Sequence, residues 1–250
     1  MSKRGLCLYA SSMDNDWPSL VALNPVAIVA MDPYHLPRAL GESCYWLWRP
    51  WVPGTMRDWT PRKWIERVRA EWVQKGEHPF HGIQFLNEPN LAMESGYPDG
   101  SREAADATVA WGLAVIDLIR ETWGDVDVHS PPLSPDVPGY LDFYHWLEPL
   151  VDACDCLNVH AYLNKPLSYA LVHNLYAAMP LVISECGDCQ GGTAEYGRQM
   201  LVWYAALPDY VAWATLFVYQ GTDGQFPQWE LHGTPAERVL IGGMAALEAR

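Results

Sequence analysis

Residues 82–88, Gly82-Ile83-Gln84-Phe85-Leu86-Asn87-Glu88, are a short apolar run that ends on an amide and a carboxylate. A run of this size is one buried strand, and in an α/β protein a polar group at its carboxyl end marks the functional face of the sheet. The next patterned segment, Ser101 to Trp123, carries Val109, Leu113, Ile116 and Ile119 on a near-helical period between a Ser cap and Gly124. Val126 to Ser130 then returns to a strand pattern. Strand, helix and strand in that order is the unit of a parallel sheet joined by crossover helices.

The same alternation runs outward in both directions. Candidate strands are Gly5 to Ala10, Val26 to Asp32, Cys44 to Pro50, Gly82 to Glu88, Val126 to Ser130, Leu157 to Tyr162, Leu181 to Cys186 and Val211 to Gln220. Thr60-Pro61 opens a helix with Trp64, Ile65, Val68, Trp72 and Val73 on one face, and Thr234-Pro235-Ala236-Glu237 reads as a capping box. With no Ser/Gly linker, no low-complexity tract and no internal repeat, the expectation is a single (β/α)8 TIM barrel over residues 1–250. Connections after the first two strands are short, so helices there are abbreviated. The rival, an open doubly wound sheet, is disfavoured because Ser11-Ser12-Met13-Asp14 is not a Gly-rich phosphate loop.

Composition limits the partners. The chain has 250 residues, 50% of them hydrophobic and 18% charged, enough apolar material for a sizeable core. Its net charge of −14 repels phosphate backbones and anionic lipid, so neither nucleic acid nor a membrane is an expected partner. No apolar run approaches the roughly 20 residues that span a bilayer, and no export signal is visible, which gives the expectation of a cytoplasmic protein or one released by lysis. Six cysteines are too few for a disulfide scaffold at this length. The 13 tryptophans suggest either a very aromatic core or a ligand with flat apolar faces, as sugar rings have.

In a barrel, chemistry sits at the carboxyl ends of the strands. The polar groups there are Tyr9 and Ser11, Asp32 with His35, Arg49, Asn87 and Glu88, His129, His160 and Tyr162, Glu185, and Tyr219 with Gln220. Glu88 and Glu185 each close a strongly apolar run, where lost hydration favours the protonated acid unless a cation or donor compensates. Two facing carboxyls with different surroundings acquire different pKa values, and one can serve as acid while the other stays anionic. A metal-dependent hydrolase using Asp32, His35 and His129 is the second enzyme reading, but it lacks a tight His-x-His after the first strand. A barrel that binds carbohydrate without cleaving it is the third.

Phe85-Leu86-Asn87-Glu88-Pro89-Asn90 resembles the Asn-Glu-Pro signature at the fourth strand of clan A glycoside hydrolases. Ile183-Ser184-Glu185-Cys186-Gly187 resembles their seventh-strand nucleophile segment, and His160-Ala161-Tyr162 their His-x-Tyr. The resemblance implies a retaining glycoside hydrolase with a carbohydrate substrate, Glu88 as acid/base and Glu185 as nucleophile, the two carboxyls lying about 5 Å apart. It further implies that Asn87 binds the sugar 2-hydroxyl, Tyr162 donates to Glu185 and His160 lines the substrate site. Arg49 is expected to keep Glu185 ionised, with Trp48, Trp51, His129 and Tyr219 as further substrate-binding candidates. The family often ends the eighth strand on a Trp sugar platform; this chain has Phe217-Val218-Tyr219-Gln220 there, with Trp213 earlier and Trp229 later. No cofactor or metal is expected, since Cys186-Gly187-Asp188-Cys189 lacks the second pair that structural zinc wants and Cys154-Asp155-Cys156 has the wrong spacing.

Overall fold

A computed structural model describes residues 4–8, 17–31, 40, 44–163, 168–188, 192–220 and 229–248, with side chains for all of these except 4–8, 17, 218–220 and 244–248. All eight candidate strands are present: β1 (Arg4–Leu8), β2 (Ala27–Ala30), β3 (Tyr45–Trp48), β4 (Gly82–Gln84), β5 (Asp127–His129), β6 (Leu157–Tyr162), β7 (Leu181–Gly187) and β8 (Val211–Gln220). They form one sheet in the order β5-β4-β3-β2-β1-β8-β7-β6. Every pairing is parallel. The two ends of this order meet through one parallel bridge between His129 and Cys156, supported by Ser130 N–H donating to Cys156 O at 2.9 Å and Asp155 N–H to Val128 O at 2.8 Å. The sheet thus returns on itself as a barrel, at a seam held by a bridge instead of a ladder.

Helices cover the outside. α1 (Trp17–Leu23) is the abbreviated helix expected after the first strand. α2 (Pro61–Gln74) begins where Thr60 Oγ1 accepts from Lys63 N–H at 3.4 Å, and its buried face is Trp64, Ile65 and Val68. A short α3 (Ala92–Ser95) precedes α4 (Arg102–Trp123), where Ser101 Oγ caps Ala104 N–H at 3.1 Å. Then come α5 (Tyr140–Trp146), α6 (Glu148–Val151), α7 (Ser168–Leu175), α8 (Ala194–Ala205) and α9 (Pro235–Glu248). Thr234 Oγ1 accepts from Glu237 N–H at 3.3 Å, whereas the Glu237 carboxylate reaches back to Gly233 N–H at 2.8 Å, one residue earlier than a capping box requires. Among the described residues no helix is long and apolar enough to cross a membrane.

Strand parity divides the core in two. Ala27, Val29, Leu47, Val182, Trp213 and Phe217 pack together inside the barrel. Ile28, Trp46, Trp48, Ile83, Val128, Leu157, Val159, Leu181 and Ile183 belong to the larger layer packed with the helices. Trp48 is therefore a core residue and not the sugar contact expected of it: it is fully buried, edge-on to Phe80 at 5.1 Å and Trp123 at 5.9 Å, with its indole N–H donated to Met31 O at 3.1 Å. Alternation explains this, since Trp48 lies between Leu47 and Arg49, which face inward.

His129 is also corrected. Its ring is buried low in the barrel, 2.8 Å from Tyr45 Oη and tilted against Trp213 at 5.9 Å, and it does not line the cleft. The register explains the error: His129 pairs with Gln84, four residues before Glu88. Gly82 makes room for this packing, because a Cβ there would sit 2.9 Å from His129 Nε2 and would collide with Tyr45 Oη.

Burial drives the His129 pKa from 6.5 down to about 3, so the folded state holds it neutral while the unfolded chain takes up its proton. Its contribution to stability is complete above pH 6.5 and is lost as pH falls toward 3, by up to about 1.4 kcal/mol per pH unit. Urea unfolding between about pH 5 and 6.5 should show this slope, and His129→Asn should flatten it. An unchanged slope in the variant would contradict a buried neutral imidazole.

Candidate active site

Strand alternation alone would aim Glu185 the wrong way. Leu181 and Ile183 face the helices, and Glu185 has their parity. A bulge corrects this: Val159 pairs with Ile183, but the next residue, His160, pairs with Glu185, so Ser184 is the extra residue of β7. On the other side Ile183 pairs with Ala214 and Cys186 with Leu216, the same irregularity seen from β8. Thr215 Oγ1 pins it by donating to Ser184 O. Glu185 consequently turns into the barrel mouth, while Cys186 turns outward and donates to Thr215 O at 3.2 Å.

Glu88 is re-aimed by a different device. It lies four residues beyond β4 with φ +35°, a left-handed conformation that a non-glycine residue avoids unless its surroundings enforce it. Leu91 N–H closes the turn onto Glu88 O at 2.8 Å.

The two carboxyls share a partner. His160 Nδ1 lies 2.8 Å from Glu88 Oε1, and its Nε2 lies 3.7 Å from Glu185 Oε1. His160 is 2% exposed and stands behind the glutamates, not on the wall of the cleft where it was expected. Tyr162 Oη donates to Glu185 Oε2 at 2.7 Å, and Arg49 Nη1 donates to Glu185 Oε1. The same Arg49 nitrogen bonds Asn87 Oδ1 at 3.2 Å, so one guanidinium ties the seventh-strand and fourth-strand segments together.

Electrostatics follow from these contacts. Burial pushes the Glu185 pKa up, but the charge interactions with His160 and Arg49 and the hydrogen bonds from Arg49 and Tyr162 outweigh it and leave the value below the ordinary glutamate range. Tyr162 is driven the other way by burial and by the negative charges of Glu185 and Glu88, so it remains a phenol and a donor.

These groups lie in a cavity of about 550 Å³, within the range of ligand pockets. Trp51, Trp59, Trp229, Met93 and Glu94 are among its walls. Trp51 is 58% exposed, as suits a face waiting for a ligand. Trp229 packs against Tyr162 at 5.7 Å and Phe217 at 5.8 Å, which puts an indole at the floor although the eighth strand does not end on one. Tyr9, Ser11, Asp32, His35 and Cys189, and the side chains of Tyr219 and Gln220, lie outside the described residues.

No protein-family model matches the chain, and no curated protein matches it. Solved structures do. A GH128 (subgroup I) endo-β-1,3-glucanase from Amycolatopsis mediterranei, in complex with laminaritriose, is 14% identical and superposes over 97% of this chain and 99% of its own with a TM-score of 0.63. A curdlan-specific GH128 (subgroup III) exo-β-1,3-glucanase from Blastomyces gilchristii, in complex with glucose, is 18% identical over 96% and 97% with a TM-score of 0.59. A GH128 (subgroup IV) endo-β-1,3-glucanase from Lentinula edodes is 20% identical over 96% and 98% with a TM-score of 0.56.

The chain has their fold.

Two features of the structure were not read from the sequence. Glu94, on α3, is a third carboxylate in the cleft. It stands in Ala-Met-Glu-Ser after a Pro-Asn turn, a context indistinguishable from a solvated loop. The second is at the seam, where Asp127, His129 and Cys156 bring ligand-type atoms within 4.8 Å of one another. Tyr45 Oη donates to Asp127 Oδ2 at 2.8 Å and meets His129 Nε2 at 2.8 Å, so a hydrogen-bonded cluster joins the first residue of β3 to both ends of β5. None of its members lines the cleft.

The buried Arg49–Glu185 pair makes a sharp stability prediction, because removing one partner strands the other charge. Arg49→Met should lower the urea-unfolding free energy at pH 7 by about 3–5 kcal/mol, and adding Glu185→Gln should recover most of that loss. Equal stability of Arg49→Met and the parent would refute the pairing.

Proposed function

We propose that the protein hydrolyses a β-glycosidic bond with retention, using Glu88 as acid/base and Glu185 as nucleophile. One observation carries this reading: Glu185 is buried yet held anionic by Arg49 and Tyr162, while Glu88, joined to it through His160, has no cation of that kind bonded to it among the described residues. An anionic carboxylate beside one that can carry a proton is the division of labour a double displacement needs.

In the first step the Glu185 carboxylate attacks the anomeric carbon as Glu88 gives its proton to the glycosidic oxygen, and the leaving sugar departs with that proton. Arg49 and Tyr162 hold the attacking carboxylate in place. In the second step Glu88, now a carboxylate, takes a proton from water; the water oxygen attacks the anomeric carbon and the ester to Glu185 breaks. Two inversions at one carbon leave the configuration unchanged.

The sugar-stacking faces of Trp51, Trp59 and Trp229 support an oligo- or polysaccharide substrate. The shared fold with endo- and exo-β-1,3-glucanases supports a β-1,3-glucan.

Incubated with laminari-oligosaccharides, the protein should release shorter oligosaccharides whose first-formed reducing ends are the β-anomer by proton NMR. Glu185→Gln should fold and lose more than about 10³-fold in kcat. First-formed α-anomer would indicate inversion, near-native activity of Glu185→Gln would remove the nucleophile, and saccharide binding with no product over long incubation would make this a binding barrel.

A further inference from the structure

We propose that the seam of the barrel binds one divalent cation of the zinc class, held by Asp127 and His129 of β5 and by Cys156 at the entry to β6. None of these residues lines the cleft, so the inference stands apart from the hydrolase reading.

The sheet is least secure at this place. His129 and Cys156 form the one bridge that joins β5 to β6, whereas every other neighbouring pair of strands shares at least two registered residues. Paired residues of a parallel bridge lie on one face of the sheet, and Asp127, two residues before His129, has the same parity. A carboxylate oxygen, an imidazole nitrogen and a thiol sulfur accordingly come within 4.8 Å of one another across the seam. The spacing of cysteines along the chain could not reveal this, because the three ligands come from two strands that meet only when the barrel closes.

The cluster is short of positive charge. Tyr45 Oη has a single proton and two neighbours at 2.8 Å, Asp127 Oδ2 and His129 Nε2. When that proton goes to Asp127, the imidazole satisfies Tyr45 by donating its own Nε2–H. His129 Nδ1 is then a bare lone pair, buried and without a hydrogen-bond partner among the described residues. The other tautomer is no better: it sets the Nε2 lone pair against the phenol oxygen and buries an N–H that has no acceptor. No Lys or Arg stands between Arg120 and Lys165 in the chain, a stretch that includes Asp125, Asp127, Asp152 and Asp155.

A cation removes this deficit. Bound to the orphaned Nδ1, it leaves the donation from Nε2–H to Tyr45 and from Tyr45 to Asp127 intact, which is the outer support that metal-ligating imidazoles and carboxylates generally have. Thiolate, imidazole and carboxylate together select a zinc-class ion over calcium or magnesium, which take oxygen ligands. Bonds of about 2.0–2.3 Å around a tetrahedral ion draw the three donor atoms in by roughly 1 Å, and water takes the fourth position. Cys156 gives its thiol proton to solvent as the ion binds. Asp127 and Cys156 are only half-buried, so the ion has a way in. Ligands on both sides of the seam make the site a clamp on barrel closure.

The test uses the full chain, stripped with EDTA and titrated with zinc or cobalt(II) chloride. One cobalt per chain should produce a thiolate charge-transfer band, and zinc at about a hundredfold over its dissociation constant should raise Tm by about 5–10 °C. Cys156→Ser should abolish the band and the rise in Tm. Tyr45→Phe, which withdraws the outer support and leaves all three ligands, should weaken binding by about 10- to 100-fold. Cys189→Ser should leave both signals unchanged. No rise in Tm, a band that survives in Cys156→Ser, or a band lost in Cys189→Ser would each overturn the inference, the last by placing the ion at Cys186 and Cys189. If Cys156→Ser does not fold, Tyr45→Phe decides, and unchanged affinity in that variant overturns the site.

Discussion

The Arg49–Glu185 ion pair is the constraint around which the mouth of the barrel is arranged. A carboxylate 5% exposed has lost most of its hydration, and without compensation it would take up a proton. The compensating guanidinium comes from the end of β3, and β2, β1 and β8 separate that strand from β7 in the sheet order. The pair therefore spans the barrel and does not merely join neighbours. Because Arg49 also bonds Asn87, the positions of the third, fourth and seventh strand ends are set by one planar group whose donors cannot move independently.

Regular strands would not bring these groups together. The extra residue Ser184 reverses the parity of Glu185, and the left-handed turn at Glu88 redirects a residue that already lies beyond β4. Local strain of this sort costs on the order of 1–3 kcal/mol and survives only where the surroundings determine the geometry. Here they do: Thr215 bonds the carbonyl of the bulge, Leu91 closes the turn, and a buried imidazole sits against both carboxyls. Both irregularities fall at or beside the carboxylates.

This distribution explains what the sequence could and could not convey. Apolar runs, their spacing and the Ser and Thr caps specify strands and helices locally, so all eight strands and the starts of α2 and α4 were legible. The two glutamates were legible because each closes an apolar run. The orientation of Glu185 was not, since it depends on a bulge that leaves no mark in Ile183-Ser184-Glu185. Trp48 was within reach of parity reasoning, because it alternates with Leu47 and Arg49. His129 required the β4–β5 register, a non-local fact: a residue at the end of its own short strand still lies deep when its neighbour continues past it. Trp229 and Glu94 come from connections, where side-chain direction depends on tertiary contacts such as Asn90 to Ser134 and not on any period.

Three glutamates converge on this cleft, and their surroundings sort them. Glu185 has a guanidinium and a phenol bonded to it, so negative charge is stabilised there. Glu94 has one amide hydrogen and burial, with Glu88 as an unfavourable neighbour, so its charge is the less stabilised of the two. Glu88 keeps the imidazole of His160 and 14% of its side chain open to the cleft, the most accessible of the pair that His160 bridges. A proton entering this group therefore has no reason to settle on Glu185. The same residue type, placed at three points of one barrel mouth, acquires separate chemistry from differences in partner alone, and those partners are supplied by strands that only the closed barrel brings within reach of one another.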